Sequence, residues 1–365
     1  MGAARSSVND AVVWRGGPGA DSKNAMTEPQ ASRRSAFENA LAELRAGRIE
    51  SAAGLCEGIL ERAPRDPAAH QLAATVALQR GRLEDAARWA NSSLSLRPDH
   101  VPTLIVAARA ARAAGDTAQA QLWLERARRL APDRPEAAFL ACATLIESGD
   151  RNVRPVLEDL KLRFPRFADG WREIGKALQK GGDAKTAVVA LARAAESSAD
   201  PMDRARLGAA LQALDRPEEA IAAFRRALAA APNLVEARMA LGACLRQTGE
   251  LQAARAELER ALALRPDDGR AWFALALICE DLRDTAGAIR AYRRSVETEP
   301  NRPEAHVNLG LNLQNTGDLD AAMDCYRQAM RLRPDTFGRI AQALTSARKG
   351  RLWLNPARLR RVLGA

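Results

Sequence analysis

From about residue 33 to residue 336, small and bulky apolar residues hold fixed places in a recurring frame. A small residue stands at Ala40, Ala74, Ala108, Cys142, Gly175, Gly208, Gly242, Ala276 and Gly310. Twelve residues after all but one of these comes a second, at Ala52, Ala86, Ala120, Ala187, Ala220, Ala254, Ala288 and Ala322. Between them lies a turn residue: Gly47, Gly81, Gly115, Gly149, Gly182, Asp215, Gly249, Asp284 or Gly317. Bulky residues occupy a further register (Leu124, Leu191, Phe224, Leu258, Tyr292, Tyr326), and a third small position holds Ala127, Ala194, Ala227, Ala261 and Ala329. The spacing predicts two short amphipathic helices per frame, antiparallel across the turn. Small residues at facing positions let the two axes approach, and the bulky residue is expected to fill the space toward the next pair. Glycine at the turn is expected to supply a left-handed C-cap to the first helix.

Prolines punctuate the same frame. Pro64, Pro98 and Pro132 are 34 residues apart, and so are Pro232, Pro266, Pro300 and Pro334. A period of this size signals an array of repeats rather than one globular core. Each proline stops a second helix, with the residue before it extended. Asp200 followed by Pro201 marks a helix start, a capping side chain before proline at the first helical position. The fourth repeat is one residue short and carries Val153 or Arg154 where alanine belongs, with Pro155 beside it. A distortion is expected near residues 148–167, and the loop at Ser197–Pro201 also breaks register. Residues 336–350 read as a tenth first helix, but Leu344 fills the slot otherwise held by glycine or alanine, as suits a capping helix.

These positions resemble the tetratricopeptide repeat family of the soluble bacterial type, most clearly in EAHVNLGLNLQNTGDLDAAMDCYRQAMRLRP, residues 304–334. The resemblance implies an all-α, right-handed superhelical solenoid of about nine helix-turn-helix repeats over 33–336, a capping helix over 337–350 and a basic amphipathic tail over 351–365. It further implies that first helices line a concave groove that binds peptides or partner helices. Projected onto this chain, the groove carries an apolar row of Phe37, Ile105, Phe139, Met239, Phe273 and Val307, with Leu41, Leu277 and Leu311 beside it. In the middle the row turns basic, with Arg109, Arg112, Arg172, Lys176 and Lys180. Such a groove suits a segment with apolar anchors and acidic residues. Two specialities of the family are not matched. The clamp that holds a terminal carboxylate would need Lys and Asn where Phe273 and Leu277 stand. An asparagine ladder is represented by Asn308 alone, against Leu72, Val106, Leu140, Glu173 and Ala274.

Composition agrees with helices: aromatic residues are only 4% of the chain, and Ala, Leu, Arg and Glu dominate. The net charge of +10 fits nucleic acid, an anionic lipid surface or an acidic protein partner, and equally the Ala- and Arg-rich bias of a GC-rich genome. Acidic residues interspersed with the basic ones favour the last. The five cysteines form no CxxC pair and no metal spacing, and read as free thiols in a reducing compartment. No apolar stretch is long enough to span a membrane, and the N-terminus lacks a signal-peptide core, so a cytoplasmic location is expected. Residues 1–32 lack periodicity and are expected to be disordered, with Met26 a candidate translation start.

Catalytic motifs are absent: no HExxH, phosphate-binding loop, GxSxG or GxGxxG occurs. Of the three histidines, His70 and His306 share the repeat position of Trp171 and Trp272 and read as packing residues. No cofactor, metal or small-molecule substrate is expected. In the tail, Asn355-Pro356 marks a helix start, and Leu359, Val362 and Leu363 would share a face opposite Arg358 and Arg361. The tail either folds back on the cap or offers a basic anchor. The sequence thus points to a non-enzymatic scaffold or adaptor binding a protein segment. The alternative is an adaptor for nucleic acid or an acidic surface, using the central basic residues and the tail.

Overall fold

The computed structural model describes residues 28–150, 153–346 and 356–364. It divides into two compact bodies, one ending at Ser198 and the other beginning at Ala199. The first holds α1 (Glu28–Arg45), α2 (Ile49–Arg62), α3 (Pro67–Gln79), α4 (Leu83–Leu96), α5 (Val101–Ala113), α6 (Thr117–Leu130), α7 (Pro135–Ser148), α8 (Val153–Arg163), α9 (Ala168–Lys180) and α10 (Ala184–Ser197). The second holds α11 (Pro201–Ala213), α12 (Pro217–Ala230), α13 (Val235–Gln247), α14 (Leu251–Leu264), α15 (Gly269–Asp281), α16 (Thr285–Thr298), α17 (Pro303–Thr316), α18 (Leu319–Leu332), α19 (Phe337–Ser346) and α20 (Pro356–Leu363). Among the described residues there is no strand. α1 opens at Glu28, so residues 28–32 are helical rather than part of a disordered leader; Pro29 is compatible with a first turn. Met26 and the rest of 1–27 lie outside the described residues.

The turns between paired helices have a two-residue logic. Gly115, Gly182 and Gly317 take positive φ, and the next residue, Asp116, Asp183 or Asp318, caps the following helix by accepting a backbone N–H. In the eighth repeat the left-handed residue is Arg283 (φ 58°), not Asp284, which instead caps α16 through Gly287 N–H at 2.8 Å. The carboxylate belongs at the cap because it satisfies an orphan N–H there, which leaves its neighbour to make the turn. Asp215 does occupy the left-handed place in its own repeat (φ 56°), and Asp200 caps α11 through Met202 N–H at 2.9 Å.

The bulky register lies over the small anchor of its own repeat, sixteen residues earlier, and Tyr292 also reaches the next pair, where its Oη accepts from Asn308. A Cβ at Gly310 would stand 2.5 Å from the Tyr326 ring, one at Gly208 2.8 Å from Phe224, and one at Gly175 2.7 Å from Leu191. A ring on a bare backbone brings the paired helices close and buries both surfaces. The shared histidine–tryptophan position has a second duty. His70 and His306 donate Nε2–H to the carbonyls of Pro64 (3.0 Å) and Pro300 (2.9 Å). Trp272 donates to Pro266 O at 2.7 Å, Arg238 to Pro232 O at 3.0 Å, and Trp171 to Phe164 O at 3.2 Å. Each donates to a loop carbonyl one or two residues beyond the end of a helix.

Within the first body, α1, α3, α5, α7 and α9 touch in succession, while the second helices make no comparable contact with one another among the described residues. First helices therefore form the tighter face of the stack. The fourth repeat departs from the others: α8 has only 11 residues, and α7 packs mainly on α9 rather than on α8. In the second body, α19 buries Ile340, Ala343 and Leu344 at its end, where Gln314 Nε2 donates to Ala343 O at 3.0 Å. α20 folds back on α18 and α19, burying Leu359 and Leu363. Val362 does not share that face; it is exposed, and its carbonyl accepts from Arg327 Nε at 3.1 Å. Residues 347–355, with Asn355, lie outside the described residues.

Candidate partner-binding faces

The fifteen groove residues read from the sequence separate into three kinds of place. Leu41, Ile105, Phe139, Arg172, Val307 and Asn308 are buried; Phe37, Arg109, Arg112, Met239, Phe273, Leu277 and Leu311 are half-buried; Lys176 and Lys180 are exposed. Phe139 is the hub of an aromatic cluster, with ring centroids 5.1 Å from Trp171, 5.2 Å from Phe167 and 6.3 Å from Phe164. Repacking around the short α8 draws it inward. Asn308 is engaged on both sides of its amide, donating to Tyr292 Oη at 3.1 Å and accepting from Arg339 Nη2 at 2.7 Å. Asn312 Nδ2 joins the same network through Glu280 Oε1 (2.5 Å) and the Asn308 carbonyl (2.9 Å). Phe273 packs edge-on to Tyr292 and carries the Arg302 guanidinium 5.0 Å from its ring centre.

The central basic row is not a bare cationic strip. Arg112 donates to Glu147 at 2.7 and 3.1 Å and to Glu173 at 3.2 Å. Lys176 pairs with Glu173 (3.6 Å), Lys180 with Glu147 (3.9 Å), and Arg172 with Asp169. Hydrogen bonding by Arg112 holds the Glu147 carboxyl below the usual carboxylate range, against the opposing pull of burial. The Glu147–Arg112 link has a counterpart in the second body, where Arg246 pairs with Asp281. Both arginines stand four residues after a small anchor (Ala108, Gly242), and both acids five after the next (Cys142, Ala276). That register was present in the sequence and would have exposed the pairing.

Two open recesses lie on first helices. In the second body, Leu277 lines one of about 450 Å³ with Ala243, Leu258 and Ala274, the Arg246–Asp281 pair at its rim. In the first, α5, α7 and α9 line a small, shallow recess. Its apolar wall includes Ile105, Leu140 and Phe167, and Arg109, Arg134 and Glu136 face it. Among the described residues, no group of three or more His, Cys, Asp or Glu side chains could hold a metal, and no helix is long and apolar enough to cross a membrane.

Models of the tetratricopeptide repeat match residues 37–101, 211–278, 269–312 and 303–336. The chain belongs to the tetratricopeptide repeat family. Its repeats also resemble solved tetratricopeptide structures. One is MamA (24% identity, TM-score 0.43, 45% of this chain and 96% of that chain). Another is MamA from Desulfovibrio magneticus RS-1 (25% identity, TM-score 0.44, 46% and 96%). A third is YrrB, described as a tetratricopeptide protein with an unusual peptide-binding site (18% identity, TM-score 0.42, 49% and 92%). No curated protein matches the sequence. Tetratricopeptide proteins serve generally as protein–protein interaction scaffolds.

Proposed function

We propose that the chain is a non-enzymatic scaffold that holds a peptide or helical segment of a partner protein on the faces built by its first helices. The observation that carries this reading is the asymmetry of the stack. First helices touch one another where second helices make no comparable contact among the described residues, and half-buried apolar side chains such as Leu277 line a recess on that face. A preformed surface of this kind binds without the ordering cost of a flexible one. The expected segment carries apolar anchors and acidic residues. Carboxylates paired with Arg112, Arg172, Lys176 and Lys180 favour a protein partner over nucleic acid, which needs a continuous basic stripe with stacking aromatics.

A pair of substitutions tests the reading. Leu277→Glu with Leu311→Glu places charge on the first-helix face, whereas Leu162→Glu alters a second-helix side chain that is 83% exposed. Proteins that copurify with the wild-type chain should be lost with the double variant and kept with Leu162→Glu, all three proteins melting alike. Equal recovery by all three contradicts the reading.

A further inference from the structure

The recess between α5, α7 and α9 contains charged groups that the fold itself does not use. Arg109 projects from the middle of α5, and its side chain makes no ion pair or hydrogen bond among the described residues; the same holds for the side chain of Arg134, just before α7. Both line a space whose other carboxylates are engaged: Glu173 holds Arg112 and Lys176, and Asp169 holds Arg172. Glu136 lines it too, and its Oε2 is buried with no hydrogen-bond partner. Other half-buried arginines are paired: Arg238 with Glu257 at 2.6 Å, Arg112 with Glu147. The buried Glu136 oxygen, left without a donor, carries a desolvation cost that a ligand N–H would relieve, and the unpaired Arg109 guanidinium in the same recess is available to a ligand oxygen.

We infer that this recess reads one acidic side chain next to a bulky apolar one in an extended partner segment, the carboxylate on Arg109, a main-chain N–H on Glu136 Oε2 and the apolar group against Ile105, Leu140 and Phe167. The inference rests on the reading of the first-helix face and names the chemistry that one position selects. A guanidinium fork matches a carboxylate with two parallel hydrogen bonds, and lysine does not reproduce that geometry. Glu136 Oε2 has no hydrogen-bond partner and can accept only from a donor, such as the backbone amide of an extended strand. The same carboxylate argues against a phosphate, whose second charge would sit beside Glu136, Asp169 and Glu173. Burial disfavours the charged form of Arg109 and lowers its pKa, nearby Arg112 acting in the same sense and Glu173, Asp169 and Glu136 opposing, so a bound anion would restore the lost stabilisation.

The test uses the full chain as bait for a phage-displayed library of random 12-residue peptides, followed by synthetic versions of the peptides recovered. Recovered peptides should share Asp or Glu beside Leu, Ile, Phe or Met. Replacing that acid by its amide should weaken binding to the wild type about tenfold, the scale of one charge-assisted contact, and binding to Arg109→Gln less than twofold. Arg109→Gln should melt no lower than the wild type, because no partner is lost; Arg109→Lys, which keeps the charge, should bind weakly and serves if the glutamine variant fails to fold. Peptides without acidic preference, or binding unchanged by both Arg109 substitutions, overturn the assignment while leaving the first-helix face standing. Tighter binding when phosphoserine replaces the acid overturns the carboxylate. Failure to recover any peptide, or peptides lost only with Leu162→Glu, overturns both this inference and the reading beneath it.

Discussion

Phe139 fills the place that a side chain at Gly170 would take: a Cβ on Gly170 would stand 2.3 Å from Cγ of the ring. Through this contact α7 lies directly on α9, and the fourth repeat closes despite its shortened second helix. Adding the methyl group forces the ring or the helix to move, and overpacking of this kind costs about 1–3 kcal/mol. Gly170→Ala is therefore expected to lower the urea midpoint of the first body. Gly54→Ala, on an exposed helical position with nothing within 4 Å, is expected to raise it, stabilising the fold by up to about 1 kcal/mol.

Arg283 holds a left-handed conformation that L side chains adopt at a cost. Arg283→Gly should stabilise the second body by about 1 kcal/mol, and Gly249→Ala, at φ 85°, should destabilise it by a similar amount. Thermal melting of the two variants checks the pair, and equal shifts in one direction would contradict the assignment of the turns.

Acid should weaken the first body through Glu147. Its folded pKa lies below the ordinary 4.5 because Arg112 hydrogen-bonds it, with Lys180 adding attraction. The group binds a proton less readily when folded, so its contribution is complete above pH 4.5 and is lost as pH falls through the lower folded value. Glu147→Gln should destabilise the protein at pH 7 by about 1–3 kcal/mol and by less below pH 4, narrowing the gap to wild type. A gap that is constant with pH would contradict the pairing.

The thiols should be inert in the folded chain. Burial pushes Cys56 and Cys142 up to about 12 and Cys325 up to about 11, and raises Cys244 and Cys279 as well. An aromatic disulfide reagent at pH 8 is expected to react fully with all five cysteines only after denaturation, and Cys325, the one not fully buried, should lead in the native state. Rapid labelling of Cys56 or Cys142 without denaturant would contradict this.

Much of the architecture was legible because close helix pairing demands small residues at fixed intervals, and no other composition satisfies it. Leu344 stands out for the same reason, a bulky residue in a slot that glycine, alanine or Cys142 fills in the other repeats. Inward or outward placement was harder to read. Phe139 and Val307 occupy the same register as Phe273, yet the first two are buried and the third is half-buried, because burial depends on the neighbouring repeat rather than on the residue itself. Ion pairing was the other blind spot. Arg112 and Glu173 are 61 residues apart in sequence, and only folding two repeats onto the same face makes them neighbours.

The most direct measurement of the scaffold reading is a photo-crosslinking scan in the source cells, with a benzophenone amino acid placed singly at Met239, Leu277 and Leu311 on first helices and at Leu122 and Leu162 on second helices. Leu122 and Leu162 are 59% and 83% exposed, so they are the more accessible positions and the stricter control. Discrete crosslinked partner bands are expected from the first-helix positions and none from the second-helix pair. Bands arising from Leu122 and Leu162, with the first-helix positions silent, would contradict the scaffold reading.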